Sequence, residues 1–135
     1  TRVPLIIVAP GTSQARTSTN APVSLMDLYP TLVELAGLEK PHDLEGVSLV
    51  PLLENPDAPW DRAVVTTNGF RSHAVANERY RYIRYSDGAE ELYDLSSDPN
   101  EWRNLAGMPA LSAVQRELAT WLPEHDEPNA ARQNQ

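Results

Sequence analysis

The spacing of apolar residues changes several times along the chain, and each change predicts a different element. Val3 to Ala9 carries the unbroken run Leu5-Ile6-Ile7-Val8, closed by Pro10-Gly11. Apolar residues at consecutive positions predict a strand buried on both faces, as in a sheet covered by helices on each side. No second run like it follows, so its sheet is expected to lie elsewhere. Thr12 to Ala21 is small and polar, a loop by composition.

From Ser24 to Gly37 the spacing becomes helical, with Leu25, Leu28, Leu32 and Leu35 on one stripe and Tyr29, Val33 and Ala36 beside it. Proline suits the first helical position and breaks a helix interior. The pattern therefore predicts a turn over Met26 to Tyr29, a helix from Pro30, and a stop at Gly37. After a loop from Glu39 to Gly46, Ser48 is a cap for a brief helical turn over Leu49 to Leu53, and Glu54 to Pro59 is a connector.

The second half reads as antiparallel. Ala63 to Thr67 is a β-branched strand, and Ser72 to Ala76 and Tyr80 to Tyr85 flank the hairpin connection Asn77-Glu78-Arg79. Ser86-Asp87-Gly88 is a turn, Glu91 to Tyr93 a last strand, and Asp98-Pro99-Asn100 a break. Leu111, Val114, Leu118 and Trp121 mark one face of a helix from Pro109 to Leu122, ended by Pro123. Glu124 to Gln135 has almost no apolar residues and reads as a disordered tail.

Composition narrows the classes of function. The absence of cysteine rules out disulfides, thiolate metal sites and a cysteine nucleophile in this chain. A net charge of −8 argues against a nucleic-acid partner, because that binding relies on Lys and Arg against phosphates. No window approaches the roughly eighteen apolar residues of a membrane span, so no membrane partner is expected. Arg71, Arg79, Arg81 and Arg84 cluster in sequence, but strand alternation turns Arg79 and Arg81 away from Arg84. They are expected as separate surface residues.

Taken in order, Arg2 to Gly11, Asp27 to Gly37, Gly46 to Leu53, Tyr80 to Tyr85 and Glu91 to Ala106 resemble the type I, formylglycine-dependent sulfatases. That family reads R-x-P-L-I-x-x-x-P-G, D-L-x-P-T-L-x-x-L-A-G, G-x-S-L-x-P-L-L, Y-R-Y-I-R-Y and E-L-Y-D-L-x-x-D-P-x-E-x-x-N-L-A. His73-Ala74-Val75 and Asn100-Glu101-Trp102 look most like iduronate-2-sulfatase and choline-sulfatase members. The resemblance implies an α/β fold, in which residues 1–60 end the catalytic domain with the last strand of a large alkaline-phosphatase-like sheet. Residues 61–123 would be a small C-terminal subdomain of antiparallel sheet and helix, and 124–135 a disordered tail. Most of the motif residues read as structural. Gly37 and Gly46 are expected at positive φ, Asp98 to Glu101 as a turn opening a helical stretch, and Trp102 and Leu105 as anchors in the core.

The family's chemistry, as the resemblance implies it, needs a formylglycine whose hydrate attacks sulfur and a calcium ion that polarises the sulfate. This chain holds neither the C/S-x-P-S-R motif nor the D-H-G metal motif. No catalytic residue, metal ligand or bound cofactor is therefore expected in it. The pairs His42-Asp43 and His125-Asp126 lack a third ligand nearby in sequence. The expected partners are the N-terminal catalytic part of the same enzyme and a sulfated carbohydrate or other small sulfate ester. One substrate-binding candidate remains, His73 in Phe70-Arg71-Ser72-His73. A histidine there can hydrogen-bond the substrate or the sulfate, or be satisfied within the fold. The family commonly has arginine and threonine where this chain has Ala76-Asn77, which weakens the implication of a glycosaminoglycan. The rival functions are a phosphonate or phosphate monoester hydrolase on the same scaffold, and a non-catalytic interaction module. No compartment is legible in this chain, although the family is often periplasmic, secreted or lysosomal.

Overall fold

A computed structural model describes residues 3–128 of the chain. They form two compact units that divide between Arg62 and Ala63.

In the first unit the run at Val3 to Ala9 is not a strand. A strand exists only with a neighbour to answer its backbone groups, and among the described residues none pairs with this segment. Val3, Ile6 and Val8 stand 68%, 86% and 80% exposed. The run does end in the expected turn, where the Ala9 carbonyl accepts from the N–H groups of Thr12 and Ser13.

A 3-10 turn, Leu25–Asp27, leads directly into helix α1, Leu28–Leu35. The helix thus begins before Pro30, not at it. Its start is secured upstream by a capping box, in which Ser24 Oγ accepts from Met26 N–H and Asp27 accepts from Ser24 N–H. Pro30 then falls in the first turn of α1, where a missing N–H costs little. Gly37, at φ +65°, ends the helix as expected, and Leu38 N–H bonds back to the Val33 carbonyl. The buried face also differs from the leucine stripe. Pro30, Thr31 and Val33 are buried, whereas Leu25 and Leu32 are exposed.

The polar groups at Asp27 and Thr31 decide that facing. Asp27 is fully buried and accepts from Ser24 N–H at 2.7 Å, Val47 N–H at 3.0 Å and the Arg62 guanidinium at 2.6 Å. Thr31 Oγ1 donates to the Asp27 carbonyl and accepts from Leu49 N–H at 2.8 Å. The helix start is thereby bonded to residues 47–49, just ahead of α2, Val50–Glu54. Gly46 allows the approach. A Cβ there would lie 2.0 Å from the Met26 carbonyl oxygen. Gly46 is not among the positive-φ glycines, so it is needed for close backbone contact and not for a left-handed turn.

The second unit is a four-stranded antiparallel sheet in sequence order: β1 Val64–Thr67, β2 His73–Ala76, β3 Tyr80–Arg84 and β4 Glu90–Asp94. Asn77 shapes the β2–β3 turn, its side-chain oxygen accepting from Arg79 and Tyr80 N–H. Residues Val65, Val75, Tyr82 and Leu92 are direct cross-strand partners and so share one face. Leu118 of helix α3, Ser112–Ala119, joins Val75, Tyr82 and Leu92 in the core, with Leu111, Val114, Ala119 and Leu122 packed around it.

Three expectations fail in this unit. The helix ends at Ala119, so Trp121 leaves the stripe and is 41% exposed while Leu122 packs instead. Trp102 is 85% exposed and is no core anchor, although Leu105 is. No helix opens at Asp98, and the residues from there to Met108 form turns. The Asp98 carboxylate accepts from Arg103 N–H, and Glu101 takes φ +58°, which continues the chain as a turn. Of the expected tail over 124–135, residues 129–135 lie outside the described residues.

Two buried phenols of this unit, Tyr82 and Tyr93, resist ionisation. Burial, reinforced by the hydrogen bond to Glu90, pushes Tyr82 up to about 12, and burial with the bond to Glu91 does the same for Tyr93. A raised tyrosine stabilises the fold fully below its unfolded value near pH 10, and that contribution disappears as pH rises through about 12.

Ultraviolet titration should therefore show a late phenolate component near pH 12, reduced in Tyr82→Phe and in Tyr93→Phe. A single wave near pH 10 would contradict the packing of both rings. Leu118→Asp should lower the unfolding midpoint far more than Glu117→Lys. The first buries an unpaired carboxylate at a cost of several kcal/mol, and the second changes a surface charge, worth about 0.5 kcal/mol or less. Asp27→Ala should destabilise the first unit by about 3–5 kcal/mol, because Arg62 and two backbone N–H groups lose their acceptor. Chemical denaturation followed by Trp60 fluorescence would measure it.

Candidate functional site

The row of the sheet beside the apolar one is polar. Register makes Thr67, His73, Arg84 and Glu90 successive cross-strand partners. They lie two residues along each strand from Val65, Val75, Tyr82 and Leu92, and so share the face that α3 packs on. One row thus carries an imidazole, a guanidinium and a carboxylate.

His73 is 7% exposed. Its Nδ1 lies 2.9 Å from Thr67 Oγ1 and its Nε2 lies 2.9 Å from Asp126 Oδ2. A carboxylate accepts only, so Nε2 carries a proton. The threonine hydroxyl can donate to a neutral Nδ1 or accept from a protonated one. The same oxygen of Asp126 also accepts from the backbone N–H of Arg71. Arg71 sits at φ +55° in the turn between β1 and β2, after Gly69 at φ +83°. Its guanidinium stacks 4.9 Å from the Phe70 ring centre.

At the other end of the row Glu90 accepts from the Tyr82 hydroxyl, from Arg84 Nε at 3.2 Å and from Gln115 Nε2. The Tyr82 bond, followed by Arg84 and Gln115, lowers the Glu90 carboxyl despite partial burial. Burial opposes the charge of Arg84, but its bonds to Tyr82 and Glu90 outweigh it, so its guanidinium is held more firmly protonated. Tyr82, Arg84, Glu90, Ser112, Gln115 and Arg116 line a shallow cavity of about 300 Å³. The remaining arginines of the sequence cluster have partners of their own, Arg79 with Asp94 and Arg81 with Glu101. Asp94 is held well below the usual carboxylate range by the bonds from Arg79 and Ser96.

The sequence candidate His73 thus stands in a polar row, with both ring nitrogens answered by side chains of this chain. In sequence Asp126 stands out only as the neighbour of His125. Its pairing with His73 spans fifty-three positions, as the residue numbers show, and no local pattern points to it. The pairing of Arg84 with Glu90 has a local signal in sequence, a six-residue hairpin separation. His42 and Asp43 are exposed. Among the described residues no three His, Asp or Glu side chains converge to hold a metal ion. Among these residues the donor set that calcium needs is not assembled. Among the same residues no helix is long and apolar enough to cross a membrane.

Comparison with known proteins agrees with the motifs. Residues 1–127 match the family described as N-sulphoglucosamine sulphohydrolase, C-terminal. A sulfatase of Formosa agariphila is 39% identical over 124 residues, covering 92% of this chain and 24% of its own length. A solved structure described as in complex with its substrate D-glucosamine-2-N,6-O-disulfate is 31% identical, with a TM-score of 0.59. It covers 70% of this chain and 22% of that one. The phosphonate monoester hydrolase of Agrobacterium radiobacter shares the fold at 29% identity and a TM-score of 0.55, over 70% of this chain and 23% of its own. This chain therefore spans about a quarter of the length of the relatives it matches. These likenesses do not reach the narrower branch of iduronate-2-sulfatase and choline-sulfatase. Motifs, sheet-and-helix architecture and family match agree, and the chain belongs to the sulfatases, in the family of N-sulphoglucosamine sulphohydrolase C-terminal domains.

Proposed function

We propose that this chain is the C-terminal part of an enzyme that hydrolyses sulfate esters of a sulfated carbohydrate. The match over residues 1–127 to a sulfatase C-terminal family carries the reading, and the sugar-disulfate relative favours a carbohydrate substrate. Residues 1–60 would close the catalytic domain and residues 61–123 form the small subdomain. The exposed Val3, Ile6 and Val8 are then a surface that the rest of the enzyme covers. Burying each large apolar side chain is worth roughly 1.5–3 kcal/mol. Calcium and formylglycine belong, on this reading, to the rest of the enzyme. This chain contributes His73, which meets the substrate from the β1–β2 end of the sheet.

The phosphonate monoester hydrolase relative keeps one alternative in view, since it shares the scaffold.

The isolated 135-residue chain should turn over no aryl sulfate, because it lacks the nucleophile and metal motifs. Turnover that survives repurification and vanishes in His73→Ala would overturn this. The product of the complete coding sequence should release sulfate from a sulfated glucosamine faster than it cleaves a phenyl phosphonate. The reverse preference would move the assignment to the phosphonate hydrolases.

A further inference from the structure

We propose that the backbone N–H of Arg71 and Nε2 of His73 form a seat for one oxygen of a sulfate group, which Asp126 occupies as an internal stand-in. This rests on the reading of His73 as a substrate contact, and it says what holds that site closed.

Both donors converge on a single oxygen, Asp126 Oδ2. They are aimed before any ligand arrives. Thr67 fixes the imidazole from the Nδ1 side at 2.9 Å, and the ring is buried, so Nε2 points one way. Arg71 holds φ +55°, a conformation that a non-glycine residue keeps only where its surroundings hold it there. In that conformation its N–H meets the same carboxylate oxygen. A rigid N–H and a protonated ring nitrogen aimed at one point recognise an anionic oxygen, whether carboxylate or sulfate.

The present occupant is weakly tethered. Asp126 lies beyond α3 in a segment without helix or strand. Among the described residues, its two hydrogen bonds are the ones tying residues 123–128 to the sheet unit. An incoming sulfate oxygen would exchange one acceptor for another at the same donors, releasing the segment. While Asp126 sits there, the apparent affinity of an external anion falls in proportion to the fraction of time the seat is open.

The test is titration of the full chain with inorganic sulfate and, separately, with methyl sulfate, followed by NMR at the Arg71 amide and the His73 ring. Removing the carboxylate in Asp126→Ala should tighten sulfate binding by about tenfold or more over the unaltered chain, as expected when an internal competitor is lost. Asp126→Asn, which keeps the size of the side chain, should tighten it in the same direction and guards against a folding defect in the alanine variant. Adding His73→Ala to either should abolish the gain. Binding of methyl sulfate as well as the free ion would mark the seat as a substrate site, and binding of the ion alone would mark it as a product site. No gain in either Asp126 variant, or a gain that survives loss of His73, would overturn the proposal. Sulfatase activity of the complete enzyme is read separately. An active enzyme with no sulfate at this seat would defeat the seat alone, and a sulfate-binding seat in an inactive enzyme would defeat the catalytic reading alone.

Discussion

The antiparallel register of the four strands is the constraint on which the second unit depends. Pairing Val65 with Val75, Val75 with Tyr82 and Tyr82 with Leu92 puts four large side chains in one line under α3. The same register puts Thr67, His73, Arg84 and Glu90 in the next line on that face. A slip of one residue in any strand would send its share of both lines to the other face. Core and candidate site are therefore specified together. The polar line tolerates its partial burial because each member finds a partner. Thr67 and Asp126 answer His73, while Tyr82, Arg84 and Gln115 answer Glu90.

The first unit is organised differently, around a carboxylate removed from water. A buried charge is tolerated only where its lone pairs are met, and Asp27 meets Ser24, Val47 and Arg62. That need explains several motif residues at once. Asp27 is the acceptor, Thr31 bonds the helix to Leu49, and Gly46 lets the chain pass the Met26 carbonyl. Residues that read in sequence as a helix start and a loop glycine are parts of one junction.

The chain belongs to the C-terminal part of the sulfatases. Among the described residues several charged groups stand in pairs, including Arg79 with Asp94 and Arg81 with Glu101. His73 meets an anionic partner from a distant segment without helix or strand, as Arg81 does in Glu101.

Much of this was legible in the sequence. The period-two runs from Ala63 to Tyr93, the turns at Asn77 and Gly88 and the stripe of Leu111, Val114 and Leu118 are local signals, and the sheet and helix follow them. The ordered motifs were enough to reach the family. The failures have a common cause. Val3 to Ala9 has the composition of a strand, but a strand is a relation between two segments, and among the described residues none pairs with it. Leu32 and Trp102 have the side chains of core residues, yet burial is decided by what lies opposite them. The pairing of Asp27 with Arg62, and of His73 with Asp126, joins residues far apart in the chain. Sequence alone determined which segments could be strand, helix or turn, because those preferences reside in a few consecutive residues. Only the tertiary structure decided which charges meet, because that depends on where the folded chain returns in space.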